Sequence, residues 1–217
     1  MRQVSIIVLL IFLYSILNFY PVDAAIKGSV DYSIPIDYSK LNEQEVELRA
    51  REYFFNAKKL EDGRINEDMT NALMLYEILQ RINPEKLEYP VKLGILQDKI
   101  GKDRQAKGNF SRAIGIDNKN PLPYFYFGEF YYKRDLYRKA LKYYNETYIR
   151  GFDTNYNLLY RMGDIYEKLG DSRSALKYLY EAQKQSSNPD LENKIKRIEA
   201  QDSINKEFYS DTRIRIN

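Results

Sequence analysis

Three groups of side chains in this sequence have types and spacings that could do chemistry. Asp164 and Glu167 stand three apart, which brings two carboxylates to one face of a helix, where one could serve as general acid and the other as base. Arg104, Lys107, Arg112, Arg134, Arg138, Lys139 and Lys142 are interleaved with Tyr and Phe, the make-up of a surface that pairs with phosphates and stacks on bases. Phe125 and Tyr160, accompanied by Glu129 and Tyr132, are the kind of aromatic and polar groups that anchor protein interfaces.

What is missing narrows the chemistry further. The chain has no Cys, so there is no disulfide, thiolate nucleophile, thiolate-bound zinc or lipid-modified cysteine. It has no His, which removes the commonest general base and the commonest metal ligand. Serine triads, zinc hydrolases and cysteine enzymes are excluded. The acid pair has no partner across a pocket in the sequence pattern, and paired acids on a helix are ordinarily solvated charges. No catalytic, cofactor-binding or metal-binding residue is therefore assigned.

The 217 residues are 44% hydrophobic and 30% charged, as expected of a chain that folds. The net charge is only +3, so attraction of the whole molecule to nucleic acid is weak. Charge is unevenly spread: residues 25–89 carry 9 Lys and Arg against 13 Asp and Glu, a net of −4, and residues 90–150 carry 13 against 6, a net of +7.

The elements that would position these groups begin with an address. Met1-Arg2-Gln3 is followed by an apolar stretch from Val4 to Tyr20 and then Pro21-Val22-Asp23-Ala24-Ala25. A positive start, a short hydrophobic helix, a breaker and small residues at Val22 and Ala24 read as a signal peptide over residues 1–24, cleaved near Ala24. Residues 4–20 would span about 25 Å, short of the roughly 30 Å hydrocarbon core, although an uncleaved anchor is the alternative. The implied location is extracytoplasmic, secreted or periplasmic. Residues 25–41, with Gly28, Pro35 and two Asp-Tyr-Ser runs, read as an extended linker.

Beyond the linker the chain repeats. Gly94, Gly128 and Gly163 are separated by 34 and 35 residues, and so are Ala106, Ala140 and Ala175. A step of 34 back from Ala106 reaches Ala72. Bulky residues recur in register: Tyr124, Phe127 and Tyr131 with Tyr144 in one unit, and Leu159, Met162 and Tyr166 with Leu179 in the next. Large residues three and four apart give each helix one apolar face, and Gly and Ala fall where two helices approach closely. Gly170-Asp171 and Asn188-Pro189-Asp190 read as helix stop and start signals, with Asn83-Pro84 and Asn120-Pro121 in the same role. A longer hairpin loop is expected around Glu61–Asn66. Pro90 and Gln97, where bulk is expected, predict a looser second unit.

This pattern resembles the tetratricopeptide repeat family over residues 42–185. The resemblance implies an all-α fold: a right-handed superhelical solenoid of helix-turn-helix repeats, with units at about 42–86, 87–120, 121–155 and 156–188. A capping helix at 189–202, striped by Leu191, Ile195 and Ile198, would close residues 42–202 into one repeat domain. Residues 203–217 would form a frayed tail. In this family the first helices of successive units line a concave groove that holds a peptide or helix of another protein. The register places Val91, Ile95 and Asp98, then Phe125, Glu129, Tyr132 and Lys133, then Tyr160, Asp164, Glu167 and Lys168 along that groove. Phe125, Glu129, Tyr132, Tyr160, Asp164 and Glu167 are the candidate partner-binding residues. The Lys and Asn cluster with which some members grip a terminal carboxylate is lacking, and the aromatic and acidic groove suits an apolar or basic segment.

The function expected is a non-enzymatic, exported protein-interaction scaffold without cofactor or metal. Two alternatives remain. One is a membrane-associated assembly factor retained by its N-terminal helix, with its basic face on anionic headgroups. The other is a nucleic-acid-binding protein using the basic segment 90–150, against which the basic residues fall mostly on the second helix of each unit, the outer face.

Overall fold

The computed structural model describes residues 42–186 and 188–214. The expected signal segment and linker lie outside the described residues, as do Ser187 and residues 215–217. Helices run α1 Glu43–Asn56, α2 Glu67–Ile82, α3 Glu88–Lys99, α4 Asp103–Ile116, α5 Pro121–Tyr132, α6 Tyr137–Thr147, α7 Tyr156–Lys168, α8 Ser172–Gln185 and α9 Pro189–Ile214. They pack as hairpins, α1 with α2, α3 with α4, α5 with α6 and α7 with α8, and α9 closes on α8.

The small residues act as the spacing requires. Gly94 lies so close to the Phe110 ring that an added Cβ would stand 2.6 Å from it; at Gly128 the ring is that of Tyr144, at 2.5 Å, and at Gly163 the neighbour is Leu179, at 2.6 Å. In each hairpin the glycine of the first helix thus receives the bulky residue of the second. Ala72, Ala106, Ala140 and Ala175 are fully buried on the second helices. The second unit packs its glycine as tightly as the others, and Gln97 is buried with its Oε1 accepting from Asn109 Nδ2 at 2.8 Å. The looseness expected there is not seen, because a paired amide fills the place of an aromatic side chain.

Three hairpins also turn alike. The amides of Lys102, Leu136 and Asp171 donate to the carbonyls of Gln97, Tyr131 and Tyr166, five residues back, and the residue before each takes a left-handed conformation. That residue is Gly101 and Gly170 in two units but Asp135, at φ 55°, in the third. Asp171 caps α8 by accepting from Ser174 N at 3.0 Å, Asn120 caps α5 and Asn188 caps α9. Asn83-Pro84 departs from the expectation: Asn83 ends α2 and donates to Glu43, while α3 starts only at Glu88, with no side-chain cap.

The irregularities have local causes. The first hairpin is joined by residues 57–66, a loop with Gly63 at φ 85° and a bridge from Lys59 to Ile65. Asn66 pins it: its Oδ1 accepts from Met69 N and Lys58 N, and its Nδ2 donates to Asn56 O. The repeat lengthens from 34 to 35 where α6 ends in a π-helical turn, Tyr148–Phe152, with Gly151 at φ 101°. A π turn accommodates one extra residue, so the register is restored by Leu158 and Leu159, both fully buried. Leu191, Ile195 and Ile198 bury their stripe against Leu159 and Leu179, as expected of a cap. However, α9 continues to Ile214, past residue 202, so residues 203–214 are helix rather than tail.

Candidate functional site

The first helices α5 and α7 carry most of the candidate residues, and α9 supplies the rest of their surroundings. Between α5 and α7 lies an open cleft of about 470 Å³ lined by Phe125, Glu129, Tyr156, Asn157, Tyr160 and Arg161. Phe125 is half-buried, with Tyr144 and Phe152 at ring distances of 6.0 and 6.3 Å. Tyr160 stacks on Tyr156 at 6.0 Å. Two aromatic walls therefore face a polar floor. On that floor Glu129 accepts from Arg161 Nε at 3.0 Å and from the buried Tyr144 hydroxyl.

From Arg161 a chain of polar contacts leads away from the cleft. Its guanidinium lies 4.4 Å from the centre of the Tyr132 ring, and the Tyr132 hydroxyl donates to Asp164 Oδ2 at 2.6 Å. Asp164 Oδ1 accepts from Lys194 Nζ at 2.6 Å, the same ammonium reaches Glu167 at 2.7 Å, and Arg197 holds the other Glu167 oxygen at 2.6 Å. Asp164 is only 8% exposed. Burial alone would raise its carboxyl, but the hydrogen bonds from Lys194 and Tyr132 outweigh it and hold the group below the ordinary value. Burial, then Asp164, push the Tyr132 hydroxyl up to about 12. Burial favours neutral Lys194, yet Asp164 and Glu167 more than compensate and raise it. Asp164 and Lys194 thus stay charged near neutrality, paired with each other rather than poised to exchange protons.

The six candidate residues accordingly divide. Phe125, Glu129 and Tyr160 come together at the cleft. Tyr132, Asp164 and Glu167 do not line it; they are bound by Arg161, Lys194 and Arg197. Of the other groove positions, Val91 is buried in the core, Ile95 is half-buried, and Asp98 is held by Lys133 and Arg134, each at 2.7 Å. Arg161, Tyr156 and Asn157 line the cleft, and the repeat register alone does not single them out. A signal exists for Lys194: it precedes Ile195 on the cap's stripe as Asp164 precedes Ile165 on α7. The acidic character expected of this side is cancelled by these cations.

The basic residues of segment 90–150 divide as well. Arg104, Lys107, Arg112, Arg138, Lys139 and Lys142 are exposed on the second helices α4 and α6. Arg134 is instead held by Asp98 and Asp103. Among the described residues no helix is long and apolar enough to cross a membrane.

Stacked helical hairpins, with small-residue contacts at a 34-residue period, define the class: the described chain is an all-α, right-handed superhelical solenoid of tetratricopeptide type. No family model matches the sequence, and no curated protein matches it. Solved structures do. A MamA fragment from Desulfovibrio magneticus is 11% identical, with 76% of this chain and 88% of that one covered and a TM-score of 0.61. PilF of Pseudomonas aeruginosa is 13% identical over 73% and 71%, with a TM-score of 0.58. A tetratricopeptide repeat protein from Parabacteroides merdae is 19% identical over 66% and 53%, with a TM-score of 0.54. At these identities the likeness is one of fold.

Proposed function

We propose that this chain is a non-enzymatic, exported interaction scaffold that holds an apolar segment of a partner protein, peptide or helix, in the cleft between α5 and α7. The observation that carries the reading is the pairing of Phe125 with the stacked Tyr156 and Tyr160 across an open cleft. Rigid aromatic walls present a large contact area at little conformational cost, and the ionic floor of Glu129 and Arg161 is already neutralised, so an apolar side chain meets no unpaired charge. The tetratricopeptide-type fold supports the reading, since it offers a groove lined by first helices. The pairing of Asp164 with Lys194 supports the absence of catalysis at the acid pair. Export rests on the sequence of residues 1–24, and mass spectrometry of the mature N-terminus tests it: an intact Met1 in the membrane fraction would favour the anchored alternative.

The partner reading is tested by photo-crosslinking in cells from a benzoylphenylalanine placed at Asn157, an exposed rim position. A discrete crosslinked protein is expected, lost on Tyr160→Glu in a chain that keeps its helical circular dichroism. A crosslink indifferent to Tyr160→Glu would remove the site from this cleft.

A further inference from the structure

The second helices α4, α6 and α8 turn one face away from the first helices. On α6, Tyr144 packs on Gly128 of α5, and Arg138 and Lys142 project about 120–160° around the helix from it. The three helices are neighbours. Tyr143 of α6 joins the core cluster of Ala106 and Phe110 of α4, and the ring of Tyr148, just past α6, lies 6.1 Å from that of Tyr178 in α8.

One sign of charge runs across these faces. Arg104, Arg138 and Arg173 recur 34 and 35 residues apart, at the same place in three successive second helices. About one turn further on stand Lys107, Lys142 and Lys177. Like charges three or four apart weaken a helix, and here no carboxylate offsets the cost: all six cations are exposed, and none has an ion pair among the described residues. The acids of these helices are already engaged. Asp103 lies near Lys107 but is held by Arg134, Glu146 is held by Arg150, and Glu181 is half-buried beside the Tyr148 hydroxyl. At the helix starts Asp135 accepts from Tyr137, and Asp171 caps α8 beside Arg173. Amid the cations Ile149, in the π turn after α6, is 72% exposed.

We propose that this side of the hairpins rests on an anionic lipid bilayer, with Ile149 entering the headgroup layer. Cations spread over three neighbouring helices suit a surface of mobile anionic headgroups, and each one near such a surface strengthens binding about fivefold. An exposed aliphatic side chain among them reaches the boundary of the acyl chains. Nucleic acid fits less well, because bases need exposed rings to stack on. Tyr180 is the one exposed ring on the three helices, and its hydroxyl is bonded to Glu199. The aromatic cleft between α5 and α7 takes no part.

The test is flotation of the full chain with phosphatidylcholine vesicles, with and without phosphatidylserine. The apolar stretch from Val4 to Tyr20 can enter either kind, so the ratio of the two affinities reads the basic face. The anionic vesicles are expected to bind at least about tenfold more tightly, and less so as salt rises. Arg138→Glu combined with Lys142→Glu should reduce that preference at least about tenfold, while neutral-vesicle binding and helical circular dichroism stay as in the parent. Lys58→Glu combined with Lys59→Glu, an equal charge change in the exposed loop after α1, should leave the preference intact, as should Tyr160→Glu. Ile149→Ser should weaken anionic binding at least about threefold without altering its salt dependence. Equal binding to both vesicles would overturn the proposal, as would a preference that survives the Arg138 and Lys142 change or falls equally with the Lys58 and Lys59 change. Parental binding by Ile149→Ser would overturn the insertion of that side chain. An oligothymidylate or a polyglutamate peptide that binds more tightly than the anionic vesicles, and is lost with the Arg138 and Lys142 change, would overturn it in favour of a nucleic acid or an acidic protein.

Discussion

Phe125 and Tyr160 flank one stretch of the side lined by the first helices, and Asp164 and Glu167 lie along the next. Both stretches come from the same repeat register, yet the first is an open cleft and the second is filled by Lys194 and Arg197. The difference lies in the helix that each one faces. Next to α5 stands α7, whose Tyr156 and Tyr160 stack on each other and leave space in front of Phe125. Next to α7 stands α9, whose first turns direct an ammonium and a guanidinium at the two acids. A register position therefore specifies a direction, and the neighbouring helix decides whether anything is left there to bind.

The largest effect that could break this comparison comes from removing the cation at the closed stretch. Lys194→Met removes the close ammonium of Asp164, leaving only the Lys168 ammonium at 3.9 Å, in a site where both side chains of the pair are about nine-tenths buried. A loss of about 3 kcal/mol in urea-denaturation stability is expected. Arg197→Ala, at a side chain 66% exposed, should cost under about 1 kcal/mol, so equal losses would mean that α9 is not held by the buried pair.

Packing separates two kinds of glycine in the same way. Gly128→Ala sets a Cβ 2.5 Å from the ring of Tyr144, which cannot yield because it is fully buried and bonded to Glu129. Overpacking of about 1–3 kcal/mol should outweigh the roughly 1 kcal/mol gained in helix propensity. Gly108→Ala, in α4 with nothing near its added Cβ, should stabilise by about 0.5–1 kcal/mol. If thermal melts put both variants on the same side of the parent, the close approach at Gly128 is not what spaces the hairpin.

The smallest effect is in pH. Because the folded Asp164 carboxyl lies below its ordinary 3.8, its contribution is complete above that value and fades as pH falls through the folded pKa. The gap between parent and Lys194→Met should therefore narrow in stability measurements carried below pH 3.8. A gap that stays constant would show that Lys194 acts by packing alone.

Most of the fold was legible because its constraints are local and repeated. Gly and Ala at a fixed spacing, bulky residues three and four apart, and capping Asn and Asp side chains each act within one or two helical turns. Asp135 was less legible: a left-handed turn favours Gly, and an Asp tolerates it without announcing it. The π turn at Tyr148–Phe152 showed in the sequence only as a 35 among 34s. The site was legible by half. Phe125, Glu129 and Tyr160 come together at the cleft where the register places them, whereas Arg161, Lys194 and Arg197 act on residues 27 to 32 positions away, through contacts that no local pattern encodes.

The sequence by itself determined the hairpins, their number along the described chain, and the helix faces that meet, because helix period, capping and close approach depend on residue type and near neighbours. Only the tertiary structure decided which acids are neutralised, which aromatic rings line an open cleft, and which cations are left without an ion pair. Those properties depend on side chains from successive units meeting across tens of residues, where the outcome is set by distance and burial.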